Sequence, residues 1–293
     1  MVTYALTEED LSQRLGIAID DPIRLFSFDK SRELIDAIDG TYAELPWDIY
    51  DVRHRQIEIL LAYHPHQSEE LSESCDAFYS GAIGMEPLVP FFDAVPAGAR
   101  RSFDSILPFR RRAIAEYRVT RDGGSWSVSQ QPARSFSMDV QDYRRLPRVF
   151  APMQVTADTC RSFKLLLVDI ADMVAETREN VRNLRMTIHQ ISTVARTDFT
   201  ATNAPEGIHQ DGVDFVVTAL VISRNNVIGG VSQLFGPDRK TLWYEHVVQP
   251  GEGIFHADAG SPIWHLVTPI AVSDPAMSQE ATRNILGFDI ALI

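Results

Sequence analysis

After Asn183 the chain breaks into short β-rich runs, and this texture constrains the fold more than any other feature of the sequence. Runs from Arg185 to Val194, Phe215 to Ser223, Val231 to Phe235, Thr241 to Val248, Gly253 to His256, Ile263 to Val267 and Asn284 to Ile290 are set apart by Gly, Pro, Asn and Asp. Such runs between breakers predict strands. Short strands at these intervals predict a sandwich or barrel of the jelly-roll kind. Just upstream, Asp158 to Asn180 predicts one long helix, with Asp158 or Thr159 as its cap and Phe163, Leu166, Leu167, Ile170 and Val174 spaced to make one buried face. A helix of that kind braces a sheet.

The part before Thr156 mixes short helical patterns with loops. Ser31 can cap a surface helix over "SRELIDAIDGTYAEL", and a second helix is expected around Tyr50 to His64. Gly123-Gly124 supplies a permissive backbone, after which Ser125, Ser127 and Ser129 alternate with Trp126 and Val128, predicting a turn into a short strand. No repeat, low-complexity tract or flexible linker separates these parts. The expectation is therefore one α+β domain, mainly β, over residues 1–293. It comprises a helical and loop region (1–156) packed on a bracing helix and a cupin-like, double-stranded β-helix core (157–293).

With 45% hydrophobic residues over 293 positions the chain can fill a substantial core. Its longest apolar runs fall far short of the roughly 18 residues that suggest a membrane span. The acidic start "MVTYALTEEDLSQRLG" does not read as an export signal, so a cytoplasmic location is expected. Cys75 and Cys160, the only cysteines, are too few for a disulfide framework and too far apart for a thiolate metal site. A formal charge of −13 disfavours nucleic acid and anionic membranes and favours a small-molecule partner. The basic run Arg110-Arg111-Arg112 reads as the solvated face of a helix. The oligomeric state is not legible.

His209-Gln210-Asp211 precedes the apolar run from Phe215. On extended backbone, residues i and i+2 share a face, so His209 and Asp211 can present an imidazole and a carboxylate to one point. The spacing alone is weak, since His256-Ala257-Asp258 repeats it. A second histidine from a later strand must complete a two-His-one-carboxylate face. Only His265 follows the second copy, just beyond a Gly260-Ser261-Pro262 turn, whereas His246, His256 and His265 all follow the first. The first copy is the better candidate. Spacing leaves all three late histidines open; the arginine Arg283, at the start of the next strand, favours His265.

The segments "PEGIHQDGVDFVVTALVISRNNVIGG", "HLVTPI" and "RNILGFDI", in that order, resemble the bacterial Fe(II)/2-oxoglutarate dioxygenases that include L-isoleucine hydroxylase. The likeness is clearest from Arg185 to Ile293. It implies that His209, Asp211 and His265 hold Fe(II), and that Arg283 pairs with the distal carboxylate of 2-oxoglutarate. It further implies that O2 is consumed while a free L-amino acid, expected to be aliphatic, is hydroxylated with release of succinate and CO2. Arginine suits that role because its charged, forked donor array matches a carboxylate. Where many oxygenases of this wider fold carry a hydroxyl residue two positions after that arginine, this chain has Ile285, so another group such as Thr268 would supply a second hydrogen bond. Thr268 could equally satisfy backbone near Pro269. Glu206 could face a substrate ammonium, and Arg224 with Ser232 a substrate carboxylate, although loop bracing explains these residues as well. Gly229-Gly230 reads as a turn or bulge. Two other readings stand beside the oxygenase: a non-oxidative cupin-like metal protein or small-molecule sensor, and an interaction module whose histidines are purely structural.

Overall fold

The computed structural model describes residues 1–132, 135–137, 143–204 and 206–293. The helices are α1 (Glu8–Leu15), α2 (Ser31–Ile38), α3 (Ile49–Leu61), α4 (Glu69–Ser80), α5 (Ala97–Asp104) and α6 (Arg161–Thr177). The strands are β1 (Val2–Leu6), β2 (Ile23–Phe28), β3 (Arg110–Asp122), β4 (Ser125–Gln131), β5 (Ala151–Pro152), β6 (Asn183–Arg196), β7 (Phe215–Asn225), β8 (Val227–Gly229), β9 (Ser232–Phe235), β10 (Leu242–His246), β11 (Glu252–Ala257), β12 (Trp264–Val267), β13 (Ile270–Val272) and β14 (Glu280–Leu292). They fall into two compact units, one of Met1–Pro46, Arg111–Ala133 and Ala151–Ile293, the other of Trp47–Arg110 and Arg134–Phe150.

The first unit is built on a nine-stranded sheet ordered β1-β2-β11-β7-β14-β6-β3-β4, with β5 beside β3. A small sheet, β10-β9-β12, and the pair β13-β8 accompany it. This is the mixed α/β, jelly-roll architecture the strand pattern predicts. At its centre β14 pairs with β6 in unbroken register from Glu280↔Arg196 to Leu292↔Leu184, and with β7 on its other side. The period-2 alternation of sheets divides these strands into two faces. Leu184, Met186 and Ile188 of β6, Leu286, Phe288 and Ile290 of β14, and Ala113, Ala115, Tyr117 and Val119 of β3 join Phe163, Leu166, Leu167 and Ile170 of α6 in the core. The opposite face carries Arg112, His189, Thr193, Arg283 and Asp289. Truncating Leu286, wholly buried between two ladders, to alanine should cost about 2–5 kcal/mol. Urea denaturation of Leu286→Ala would measure this.

Three local expectations are corrected. Arg110-Arg111-Arg112 is strand rather than helix, and it is not a solvated face: Arg110 and Arg112 are each 7% exposed. Alternation aligns Ala113, Ala115 and Tyr117 on one side of the strand, which leaves Arg112 on the other. The bracing helix starts at Arg161 behind Cys160, which makes no side-chain cap, rather than at Asp158 or Thr159. Ser31 is likewise the first residue of α2 and not its cap. Beyond these, β1 and β2 extend the large sheet from a region read as helix and loop, β2 pairing with β11 far along the chain. Gly123-Gly124 does turn the chain, both residues at positive φ, joining β3 to β4 as a two-residue hairpin.

The second unit is helical. Tyr50, Tyr79 and Phe150 pack ring against ring, and Arg110 bridges Asp48 and Asp51 at 3.3 and 2.7 Å. Both cysteines are buried free thiols. Among the described residues no helix is long and apolar enough to cross a membrane.

Candidate metal centre

His209 and His265 lie directly opposite one another in an antiparallel bridge, each N–H donating to the other's carbonyl at 3.0 Å. Directly opposed residues project to the same side, and the two imidazoles stand 4.3 Å apart between ring centres. Asp211, two residues on, presents its carboxylate to both. Its Oδ1 is 3.5 Å from His209 Nε2 and its Oδ2 3.4 Å from His265 Nε2. One donor atom from each of the three lies within 4.8 Å of the others, and no other such group of His, Cys, Asp or Glu occurs among the described residues. His209 Nδ1 donates to Gly207 O at 2.8 Å, which fixes the tautomer with Nε2 turned to the common point.

The loop carrying these groups is held from behind. Gln210, between the histidine and the aspartate, points the other way and donates its amide to the carbonyls of Asp258, Ser261 and Ile263. Asp258, completely buried, accepts the backbone N–H groups of Asp211, Gly212 and Val213 at 3.2, 2.7 and 3.1 Å. Its Oδ1 also lies 3.9 Å from His265 Nδ1. The second His-x-Asp copy therefore supplies the scaffold of the first. His256 is equally buried, its ring 5.2 Å from that of His265, and its Nδ1 donates to Ala257 O. His246 instead contacts Glu252 at 2.9 Å.

The electrostatics follow from this crowding. Burial opposes protonation of His209, but the carboxylates of Asp211 and Glu206 outweigh it and push its pKa up to about 9. Burial would raise Asp211, yet the two imidazoles hold it well below the usual carboxylate range. Burial pushes His256 down to about 3, so it is neutral.

On the polar face of the large sheet, Arg283 is the largest fully buried side chain, and none of its three guanidinium nitrogens has a hydrogen-bond partner among the described residues. It stands opposite Arg224 in the β14–β7 ladder. Burial, and then Arg224, lower its pKa to about 9, which leaves it cationic at neutral pH. Gly230 packs on it so closely that a Cβ there would come within 2.9 Å of Arg283 Cδ. A buried cation with a cationic neighbour and no counter-ion among the described residues suits an anionic ligand.

The remaining sequence candidates divide between ends of this site. Glu206 Oε1 is 3.2 Å from His209 Nε2. Arg224 spends its fork on the carbonyls of Gly229 and Gly230, bracing the turn beside Arg283. Thr268 Oγ1 accepts the Val231 N–H at 2.9 Å, so the backbone role is seen, with its hydroxyl proton left to donate. Ser232 is 2% exposed and its Oγ has no partner among the described residues. Sequence reasoning missed the scaffold role of Asp258 and a buried relay in which Arg112 Nη2 meets His189 Nδ1 at 2.8 Å and His189 Nε2 meets Asp289 at 2.9 Å. The alternation from Arg112 to Val119 was the available signal for the relay.

Residues 99–289 match the family model described as 2OG-Fe dioxygenase. The chain belongs to this family, whose members use Fe(II), 2-oxoglutarate and O2. Among solved structures it is similar to a bsmA homologue from Methylobium petroleophilum PM1, with 17% identity over 99% of this chain and 87% of that one and a TM-score of 0.58. It is also similar to IDO from Bacillus thuringiensis, with 14% identity over 81% and 95% of the two chains and a TM-score of 0.50. At these identities the likeness shows a shared fold. No curated protein matches the sequence.

Proposed function

We propose that His209, Asp211 and His265 hold the family's Fe(II), that Arg283 binds the distal carboxylate of 2-oxoglutarate, and that the chain hydroxylates a free L-amino acid, an aliphatic one. One observation carries the reading. Two imidazoles and a carboxylate converge on a point, in the same unit as a fully buried arginine with no described partner. That donor set fits iron, since two nitrogens and one carboxylate leave adjacent positions open. The forked guanidinium fits a carboxylate.

When bound, the iron and 2-oxoglutarate supply the oxidising power, with succinate and CO2 released. The chain's own residues bind and orient. Gly207 O orients the His209 ring, while Asp258 and Gln210 anchor the loop that carries Asp211. Support for an amino acid substrate comes from Glu206, an anion beside the metal-facing nitrogen of His209 that suits an ammonium.

Protein loaded anaerobically with Fe(II) and 2-oxoglutarate should be incubated in air with pooled free amino acids. Succinate and a product heavier by one oxygen atom are expected together. Succinate formation that no amino acid stimulates would remove the amino acid assignment, and bound metal without succinate would favour a non-oxidative protein. Within this reading Asp258 positions the ligand loop, so Asp258→Ala should lose about 10- to 100-fold in Fe(II) affinity while keeping its circular dichroism. Anaerobic competition with a chelator measures it.

A further inference from the structure

We infer that Ser232 supplies the second hydrogen bond to the distal carboxylate of 2-oxoglutarate, the bond that Ile285 cannot make. This rests on the assignment of Arg283 above. The geometry comes from β9. In its ladder with β12, Leu234 stands opposite His265 and Ser232 opposite Val267, without a register shift. Opposed residues share a face, as do residues two apart on a strand, so Ser232 lies on the face that bears His265. Two residues earlier, just before β9 begins, Gly230 is packed against the Arg283 side chain. Ser232 therefore sits between the row of the metal ligand and the cation, along the path a 2-oxo dicarboxylate must follow to reach both.

Two further observations point to a ligand at this hydroxyl. Ser232 Oγ is buried and lacks a partner among the described residues, as do all three nitrogens of Arg283. A buried hydroxyl and a buried guanidinium, each with donors to spare, can be satisfied together by a carboxylate, which offers about four acceptor sites. The neighbouring backbone is also fixed on both sides of Val231: its N–H donates to Thr268 Oγ1, and Thr268 N–H donates back to Val231 O, each at 2.9 Å. Thr268 thus anchors the strand and Ser232 offers its hydroxyl to the cosubstrate.

The test is an anaerobic titration of Fe(II)-loaded protein with 2-oxoglutarate and with 2-oxopentanoate, which keeps the keto acid and lacks the distal carboxylate. The charge-transfer absorption band and calorimetry report binding. Ser232→Ala should weaken 2-oxoglutarate about tenfold, the value of one hydrogen bond to a charged group, and leave 2-oxopentanoate unchanged. Ser232→Cys, nearly isosteric but a weak donor, should fall in the same way. Unchanged 2-oxoglutarate binding in both variants, or equal loss for both ligands, would overturn the inference while leaving Arg283 in place. A wild-type protein that binds the two ligands equally would instead overturn the assignment of the pocket and this inference with it.

Discussion

Protein carrying His209→Ala, Asp211→Ala or His265→Ala should lose bound iron and fall to background turnover, while the far-ultraviolet spectrum and thermal transition stay close to wild type. Each removes one of three converging donors, and two remaining ligands hold a divalent metal poorly. Folding is spared because none of the three side chains belongs to the apolar core cluster. The decisive comparison is with the other late histidines. His246→Ala loses only a contact to Glu252, and His256→Ala loses a neutral ring that packs beside His265. Both should retain iron in metal analysis after anaerobic loading. Retention in His265→Ala with loss in His256→Ala would show that the wrong strand had been assigned.

The second large effect concerns Arg283. Arg283→Ala should still bind iron, but its affinity for 2-oxoglutarate should fall about 10- to 150-fold, the worth of a charge-assisted pair of roughly 1.5–3 kcal/mol. Arg283→Lys should recover part of this, since an ammonium keeps the charge without the planar fork. The burial of this cation makes a further comparison informative. In the protein without cosubstrate, Arg283 is wholly buried beside Arg224 with no described counter-ion. Replacing it by methionine removes an uncompensated buried charge, so Arg283→Met should unfold at a higher temperature than wild type when 2-oxoglutarate is absent. Adding 2-oxoglutarate should raise the transition of wild type and leave that of the variant unmoved. A variant less stable than wild type under both conditions would mark Arg283 as a structural residue.

Much of this was legible from local pattern. The bracing helix was expected over Asp158 to Asn180 and runs Arg161–Thr177, because a buried face at helical spacing is a strong signal and a cap is a weak one. The strands Phe215 to Ser223 and Val231 to Phe235 fall where β-branched runs end in Gly, Asn or Pro. Two members of the proposed triad are legible because extended backbone puts His209 and Asp211 on one side; His265 enters through Arg283 and the family resemblance. What local pattern could not carry was pairing between distant segments. β2 is a short apolar run whose place in the large sheet depends on β11. The basic run Arg110-Arg111-Arg112 looks solvated until Arg112 is seen to meet His189 across the sheet.

The sequence by itself determined which residue types stand two apart and which runs alternate, hence the family's β core and a donor set of imidazole and carboxylate. The tertiary structure decided which of two identical spacings meets a third donor group. His209-x-Asp211 faces His265 across a single antiparallel bridge, whereas Asp258 of the other copy turns its carboxylate onto three backbone N–H groups of the first. A spacing fixes only where side chains point relative to each other. Whether a carboxylate ends among imidazoles or among amides depends on which strand lies opposite, and that is set by long-range register.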